Sequence, residues 1–348
     1  MKYFIIIFSL LVLGCSGSNS SSTTVKLEGA PAPFDGSKKV HFALIRQMVE
    51  GEFMQMWQDG AQKQADLMGI QLTVFGKNMD NQAQADFVYQ AINMKVDGII
   101  LDHGLTETLA KPAADAVVAG IPVVAFDVDV QNPEINQIAQ DDYALGRMAL
   151  DAMNKDYNQK ANIGYVYFAG ILPLDKRDRA FTEFKKEFPN MKEIARTGTV
   201  ESPFSVKNAE QVKAILKSNP EINAYFAPYD EFAKGVVLAL DEEGLNDKIR
   251  VYSADISTQD IELMIKEGSP WAATAATSPR LIGALSVRAL ALKIAGEDLP
   301  DDILITPTLF TQDMLKEANV KNMEDLQAKF PEFNKTTNMT ADWIPMAE

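Results

Sequence analysis

The stretch VDGIILDHGLTETLAKPAADAVVAGIPVVAFD, Val96 to Asp127, decides the fold. Val96–Leu101 is a short apolar run of the kind that a sheet buries on both faces. Glu107–Ala119 then places apolar residues at helical spacing, and Gly120 ends the helix. Pro122–Phe126 is a second apolar run. Strand, helix and strand within about thirty residues make a βαβ unit, which requires a parallel sheet. Each strand runs into an acid, Asp102 and Asp127.

The same alternation extends outward. Upstream lie strand Val40–Ile45, a helix marked by Phe53, Trp57, Ala61, Ala65 and Met68, strand Gln71–Phe75 and helix Asn81–Asn93. Downstream, a second series begins with helix Tyr143–Met153 and strand Ile163–Tyr167. It continues through helices Leu174–Phe188 and Val206–Leu216, strand Ala224–Ala227, helix Phe232–Glu242 and strand Arg250–Ser253. Each series is about one domain long, so two α/β lobes in tandem are expected. The stretch Trp271–Leu309 holds a strand, the long helix Pro279–Ala295 and another strand, and reads as chain recrossing between lobes. The total of 348 residues suits two domains at ~150 residues each.

Composition narrows the function. Hydrophobic residues are 47% and charged residues 23%, an ordinary globular balance. Lys+Arg is 33 against 48 Asp+Glu, a net charge of −15, with no basic block. Such a chain offers little counterion release to a polyphosphate, which argues against nucleic acid and against adhesion to an anionic membrane by charge. With one Cys there is no intrachain disulfide and no thiolate metal cluster. The two histidines, His41 and His103, have no metal-ligand spacing. Neither standard phosphate loop nor a GxSxG elbow occurs. Asp127–Ile138 begins like a calcium loop but puts Asn132 at the turn glycine and Ile138 at the bidentate glutamate. No cofactor and no metal are expected.

At the N-terminus, Lys2 precedes the apolar run YFIIIFSLLVLG and then Gly14-Cys15. The run is short for a membrane span and resembles a bacterial lipoprotein signal, in which cleavage leaves Cys15 lipidated. The Ser-rich residues after it suit a flexible tether.

Several motifs occur in order: Phe53-Met54, DGAQKQADLMG (Asp59–Gly69), VDGIIL (Val96–Leu101), AGIPVVAFD (Ala119–Asp127), DEFAKGVVLAL (Asp230–Leu240) and AATAATSP (Ala272–Pro279). Together they resemble the ribose- and galactose-binding proteins of bacterial ABC transporters, which share a fold with the ligand domains of the lactose-repressor class. The resemblance covers about Val40 to Leu309. It implies two Rossmann-like α/β lobes with parallel sheets joined by a three-strand hinge, the type I periplasmic binding protein fold. It places the crossings near Asp141, Ala276 and Thr306. The implied organisation is signal 1–14, tether 15–37, first lobe 38–141 with 277–305, second lobe 142–276 with 306–322, and a C-terminal extension 323–348. A signal and tether stand where a repressor carries its helix-turn-helix, which removes the repressor branch.

In open α/β sheets ligands sit beyond the C-terminal strand ends, which selects Asp102, Asp127, Tyr229-Asp230 and Asp255. A sugar needs carboxylates to accept from its hydroxyls, a guanidinium to donate to its oxygens, and flat apolar surfaces for its C–H faces. The resemblance assigns Phe53 to a stacking ring, Met54 to the place of a second ring, and Asp102, Asp127 and Asp255 to polar contacts. It assigns Arg177 to the sugar-binding arginine with Arg179 as fallback, and Phe204, Tyr229 and Thr277 to the remaining wall. Glu50-Gly51-Glu52 replaces an Asn-Asn-Pro-like stretch, and Tyr229 an Asn, so ribose itself is not the expected ligand. Strand-end acids also suit helix N-caps, Arg177 could be one half of a solvated ion pair, and Trp57 lies on an apolar stripe that suits core. The expected function is a membrane-anchored monomer that captures a monosaccharide or sugar alcohol and delivers it to the transmembrane subunits of an ABC permease, in the periplasm or at the cell surface. A receptor feeding a chemotaxis or two-component sensor is the alternative, and a carbohydrate-active enzyme a remote one.

Overall fold

The structure, a computed structural model, describes residues 25–335 and 339–347. The signal reading of residues 1–14 and the lipidation reading of Cys15 lie outside the described residues. Two six-stranded sheets divide the chain. The first contains β1 (His41–Arg46), β2 (Gln71–Gly76), β3 (Gly98–Asp102), β4 (Val123–Phe126), β5 (Asn136–Gln140) and, late in the chain, β11 (Asp302–Ile305). Its order is β11-β5-β4-β3-β1-β2, parallel throughout. The second contains β6 (Ala161–Val166), β7 (Met191–Thr197), β8 (Ala224–Ala227), β9 (Arg250–Ala254), β10 (Trp271–Ala276) and β12 (Thr308–Thr311). Its order, β12-β10-β9-β8-β6-β7, repeats the first, except that β12 runs antiparallel to β10. In both, the strand order reverses beside the first strand of the series, which opens a crevice at the strand ends.

The connecting helices are α1 (Glu52–Leu67), α2 (Asn81–Met94) and α3 (Thr106–Val118) around the first sheet, and α4 (Asp142–Asp156), α5 (Leu172–Glu187), α6 (Phe204–Ser218), α7 (Asp230–Glu243) and α8 (Thr258–Ile265) around the second. The helix α9 (Pro279–Ile294) follows β10 of the second sheet but packs on α1 of the first. Two glycines let these helices touch backbone to backbone. A Cβ on Gly60 would lie 2.1 Å from the Arg280 carbonyl oxygen, and one on Gly283 would lie 1.9 Å from that of Trp57. The chain therefore passes from one sheet to the other after β5, after β10 and between β11 and β12.

Periodicity did not mark β5, β7, α8 or the short helix α10 (Gln312–Glu317). The strand β5 reads NQIAQ and β7 reads MKEIART; both mix polar residues into short segments, and β7 is a half-exposed edge. The helix α8 is only eight residues long. The tether also ends earlier than residue 37: Leu27 and Phe34 are buried against the core, and the Phe34 ring stacks on Trp343 at 5.1 Å. The apolar side chains of Leu27 and Phe34 gain more from burial than a solvated linker would. The tail beyond residue 322 is likewise structured. The helix α11 (Met323–Lys329) and a 3₁₀ turn at Pro331–Asn334 set Phe330 and Phe333 edge-on against Phe310 of β12, at 5.4 and 5.0 Å. Past residue 339 the tail lies on the first lobe, where Gln64 of α1 donates to the Pro345 carbonyl at 2.6 Å.

Candidate functional site

The C-terminal ends of the two sheets face each other across the crevice, and a cavity of ≈ 20 Å³ remains between them. That is room for about one water molecule, so the lobes are closed on each other. Met48, Phe53 and Met54 from the first lobe and Ile171, Pro173 and Leu174 from the second form its apolar wall. His103, Gln140, Arg177, Tyr229 and Asp255 form the polar one.

Backbone geometry at the strand ends is unusual. His103, Asp127 and Asp255 have φ of 56°, 52° and 75°, a region in which non-glycine residues are strained. Each follows a strand and turns its side chain at the crevice level.

Arg177 is the hub. Its Nε donates to Asp142 Oδ1 at 3.0 Å, Nη1 to Asp255 Oδ2 at 2.8 Å and to the Pro228 carbonyl at 2.6 Å, and Nη2 to Asp255 Oδ1 at 3.2 Å. Nη2 also lies 2.9 Å from Asp142 Oδ1. Burial favours loss of its proton, but Asp255 and Asp142 outweigh this and raise its pKa. The guanidinium is thus a fixed positive centre whose donors the protein already holds. The isolated surface-pair reading of Arg177 fails, because its side chain is 2% exposed and paired bidentately. Arg179 instead lies over the Tyr143 ring.

Acceptors are left over beside this hub. Both carboxylate oxygens of Asp127, and Asp142 Oδ2, are buried and have no hydrogen-bond partner among the described residues. Burial first, and the neighbouring Asp142 second, push the Asp127 carboxyl up to about 8, against the pull of His103, Lys176 and Arg177. Burial likewise raises Asp142, with Arg177 opposing. Buried unpaired acceptors cost ~1–3 kcal/mol each, so these three oxygens call for hydrogen-bond donors, although Asp127, like Asp142, stands behind the cavity beside Arg177 and does not contribute to its lining. Hydroxyl groups would meet that call. Asp142 was not singled out from sequence; it is the first residue of α4, two residues past β5.

Asp102 behaves differently from the expectation. It is fully buried and outside the cavity lining. Oδ2 accepts from Arg46 Nε at 2.6 Å and Oδ1 pairs with His103 Nδ1 at 2.6 Å. Burial would raise its pKa, but Arg46 and His103 together hold it below the carboxylate norm. It presents His103 to the cavity rather than itself. Arg46 was also missed, although it closes an apolar strand and sits in register with Asp102.

Phe204 and Thr277 are likewise moved back from the cavity, to which neither contributes lining. Phe204 is the first residue of α6 and fully buried, its ring edge-on to Tyr229 at 6.4 Å. Thr277 donates its hydroxyl to Gln140 Oε1 and so orients a residue that does line the cavity. Trp271 is core: it is fully buried and its indole donates to Ser253 Oγ at 2.8 Å. Trp57 is core as well, stacked on Phe126 at 5.5 Å.

The acids of Glu50-Gly51-Glu52 form the seam between the lobes. Glu50 accepts from the Phe204 backbone N–H at 2.7 Å and from Ser202 Oγ at 2.5 Å, both at the N-terminus of α6. Asn78 of its own lobe donates to it at 3.2 Å. Glu52 accepts from the Gln259 N–H at the start of α8, at 2.9 Å. Two carboxylates of one lobe thus cap two helix ends of the other, where free N–H groups and the helix dipole favour negative charge.

A family model for a periplasmic binding protein domain matches residues 42–298. The ribose import binding protein RbsB of Haemophilus influenzae is 25% identical over 266 residues, 76% of this chain and 89% of that protein. Two solved structures are closely similar. The 5-methylthioribose transporter solute binding protein of Thermotoga lettingae, in complex with 5-methylthioribose, is 36% identical with a TM-score of 0.86, covering 88% of this chain and 97% of that one. A sugar ABC transporter protein of Yersinia enterocolitica is 32% identical with a TM-score of 0.85, covering 88% and 93%.

Proposed function

The chain belongs to the periplasmic binding protein family, as a monosaccharide-binding protein of sugar ABC transport and not an enzyme, and from that premise we propose that its ligand is a pentose with an apolar group on C5, of which 5-methylthioribose is the type. One observation carries this reading. The three unpartnered oxygens of Asp127 and Asp142 ask for hydroxyl donors, while the wall made by Met48, Phe53, Met54, Ile171, Pro173 and Leu174 offers nothing to a hydroxyl and suits a methylthio group. The sugar's polar face would lie toward the acids, its ring C–H face on Phe53, and its substituent among the methionines and Leu174. The identity of the Thermotoga lettingae protein's ligand supports the same reading.

The ligand touches both lobes in this arrangement, so it binds the closed form better than the open one. That difference is what drives closure. Glu50 and Glu52 then settle onto α6 and α8, and the joined surface is what a permease would meet. We further propose anchoring through lipidated Cys15, with delivery to the permease from the outer face of a membrane; Cys15→Ser should release the protein from the membrane fraction.

Calorimetry with 5-methylthioribose, ribose and xylitol tests the ligand. At ~0.8 kcal/mol per buried methylene-sized group, a methylthio group is worth about a decade of affinity or more. We expect 5-methylthioribose to bind at least tenfold tighter than ribose. Equal or tighter ribose binding would remove the apolar-substituent reading and leave the family assignment standing.

A further inference from the structure

A second cavity lies behind the hinge and shares no lining residue with the cleft. Its volume is ≈ 740 Å³, within the range of small-molecule sites. The β11–β12 crossing lines one side through Leu304, Ile305 and Thr306, and the C-terminal tail lines the other through Phe333 and Met346. Between them stands Arg288 of α9.

Arg288 is 1% exposed. Its Nη1 donates to the Met346 sulfur at 2.8 Å. Its Nε and Nη2 are buried and have no partner among the described residues. These two atoms form one edge of the guanidinium, the edge that pairs side-on with a carboxylate. Among the described residues no carboxylate is paired with Arg288: Glu332, the acid of the lining, is bound to Lys335 at 2.8 Å. Burial pushes the Arg288 pKa down only to about 10, so the group keeps its charge at neutral pH. The contrast with Arg177, which holds two carboxylates and a carbonyl, shows what a buried guanidinium requires. A buried charge left unpaired costs several kcal/mol.

We propose that this cavity binds an organic carboxylate carried on an apolar body, with Arg288 Nε and Nη2 as the paired donors and the hinge and tail side chains as the apolar walls. The charge selects an anion, the fork geometry selects a planar two-oxygen head, and the leucine, isoleucine, phenylalanine and methionine lining excludes a bare inorganic ion as the best fit. Seated there, the ligand contacts the hinge crossing directly, so it would bear on the opening of the cleft without entering it.

The test is thermal melting of the whole protein at fixed ionic strength with sodium benzoate, benzamide or sodium chloride. For the wild type we expect a saturable rise in Tm of about 2 °C or more with benzoate, and none with benzamide or chloride. Arg288→Met should abolish the rise and should start at an equal or higher Tm, because it removes an unpaired buried charge. Leu304→Trp, at a half-exposed position that lines the cavity, should abolish the rise by filling it, and stands in if the arginine variant does not fold. Asp127→Asn, in the cleft, should keep the benzoate response whether or not the sugar reading holds. An equal response to benzamide, an unsaturable response, an undiminished response in Arg288→Met or Leu304→Trp, or no response in the wild type would each overturn the proposal. So would loss of the response in Asp127→Asn, which would put benzoate in the cleft.

Discussion

Asp102 and Asp127 end neighbouring parallel strands of one sheet, yet the first commits both carboxylate oxygens to Arg46 and His103 while the second commits neither. Both are buried and both follow the same kind of apolar strand. What separates them is the neighbour. The strand β3 lies beside β1, whose last residue is Arg46, in direct register with Asp102. The strand β4 lies between β3 and β5, and no cation pairs with Asp127; after burial the largest influence on it is another acid, Asp142, which outweighs the pull of His103, Lys176 and Arg177. One acid is paired within its lobe and the other is left without a partner. In a sheet of repeated units, the cross-strand register thus decides which strand-end carboxyl is paired and which is left without a partner.

The contrast makes predictions that can break it. The largest effect is expected from Asp102→Ala, which leaves Arg46 buried without its counter-charge and should cost about 3–5 kcal/mol of stability. Urea unfolding at neutral pH measures it; a cost under ~1 kcal/mol would mean that Gln58 and the Met54 carbonyl hold Arg46 unaided. Next, Asp127→Asn should lower sugar affinity at least tenfold while leaving stability equal or higher, since the lost carboxylate had no partner to lose. Normal affinity in calorimetry would take Asp127 out of the site.

The two acids should also titrate in opposite senses. The folded-state pKa of Asp127, about 8, lies above its ordinary 3.8. The folded protein therefore holds a proton that the unfolded chain releases, and stability falls as pH rises from near 4 to near 8, by up to ~1.4 kcal/mol per unit for one group. Asp102 is held below 3.8, so its contribution is present above that value and is lost as pH falls through the folded pKa. Asp127→Asn should flatten the decline toward alkaline pH, and Asp102→Asn should flatten the acid limb. Unfolding free energies from pH 3 to pH 8.5 would show both; an unchanged alkaline slope in Asp127→Asn would refute the first. The smallest effect is expected at the seam. Glu50→Ala removes two hydrogen bonds made only when the lobes meet; at ~0.5 kcal/mol each, the low end for such bonds, affinity should fall roughly fivefold and scattering should show a more open average shape.

Much of this was legible before any coordinates. The strand-end rule led to Tyr229 and Asp255, and the family resemblance to Phe53, Met54 and Arg177 and to the crossings near Asp141, Ala276 and Thr306; these five side chains line the cavity. What sequence could not show is how one strand end stands to the next. Asp102 and Asp127 look alike in one dimension because their difference is lateral. Phe204 and Thr277 fell one layer too far forward for a similar reason: each sits behind a residue, Glu50 or Gln140, that comes from a different part of the chain. Gln140 was hidden in the polar strand β5, where hydrophobic periodicity has no signal, and Asp142 in the first turn of α4 just beyond it. Pro173 and Leu174 could have been found, since they stand four and three residues before Arg177 and so share its helix face.

The tail leaves the second lobe through the Phe310, Phe330 and Phe333 rings and comes to rest on the first, on Phe34 and Gln64. This matters for anyone who wants to watch the protein work. A dye on the exposed tail residue Asp342 would ride with the first lobe, although the chain that carries it departs from the second. Paired with a dye on the exposed Lys217 of α6, it would report lobe separation as a change in energy transfer. Paired with one on the exposed Leu67 of α1, it would stay constant and serve as the internal reference.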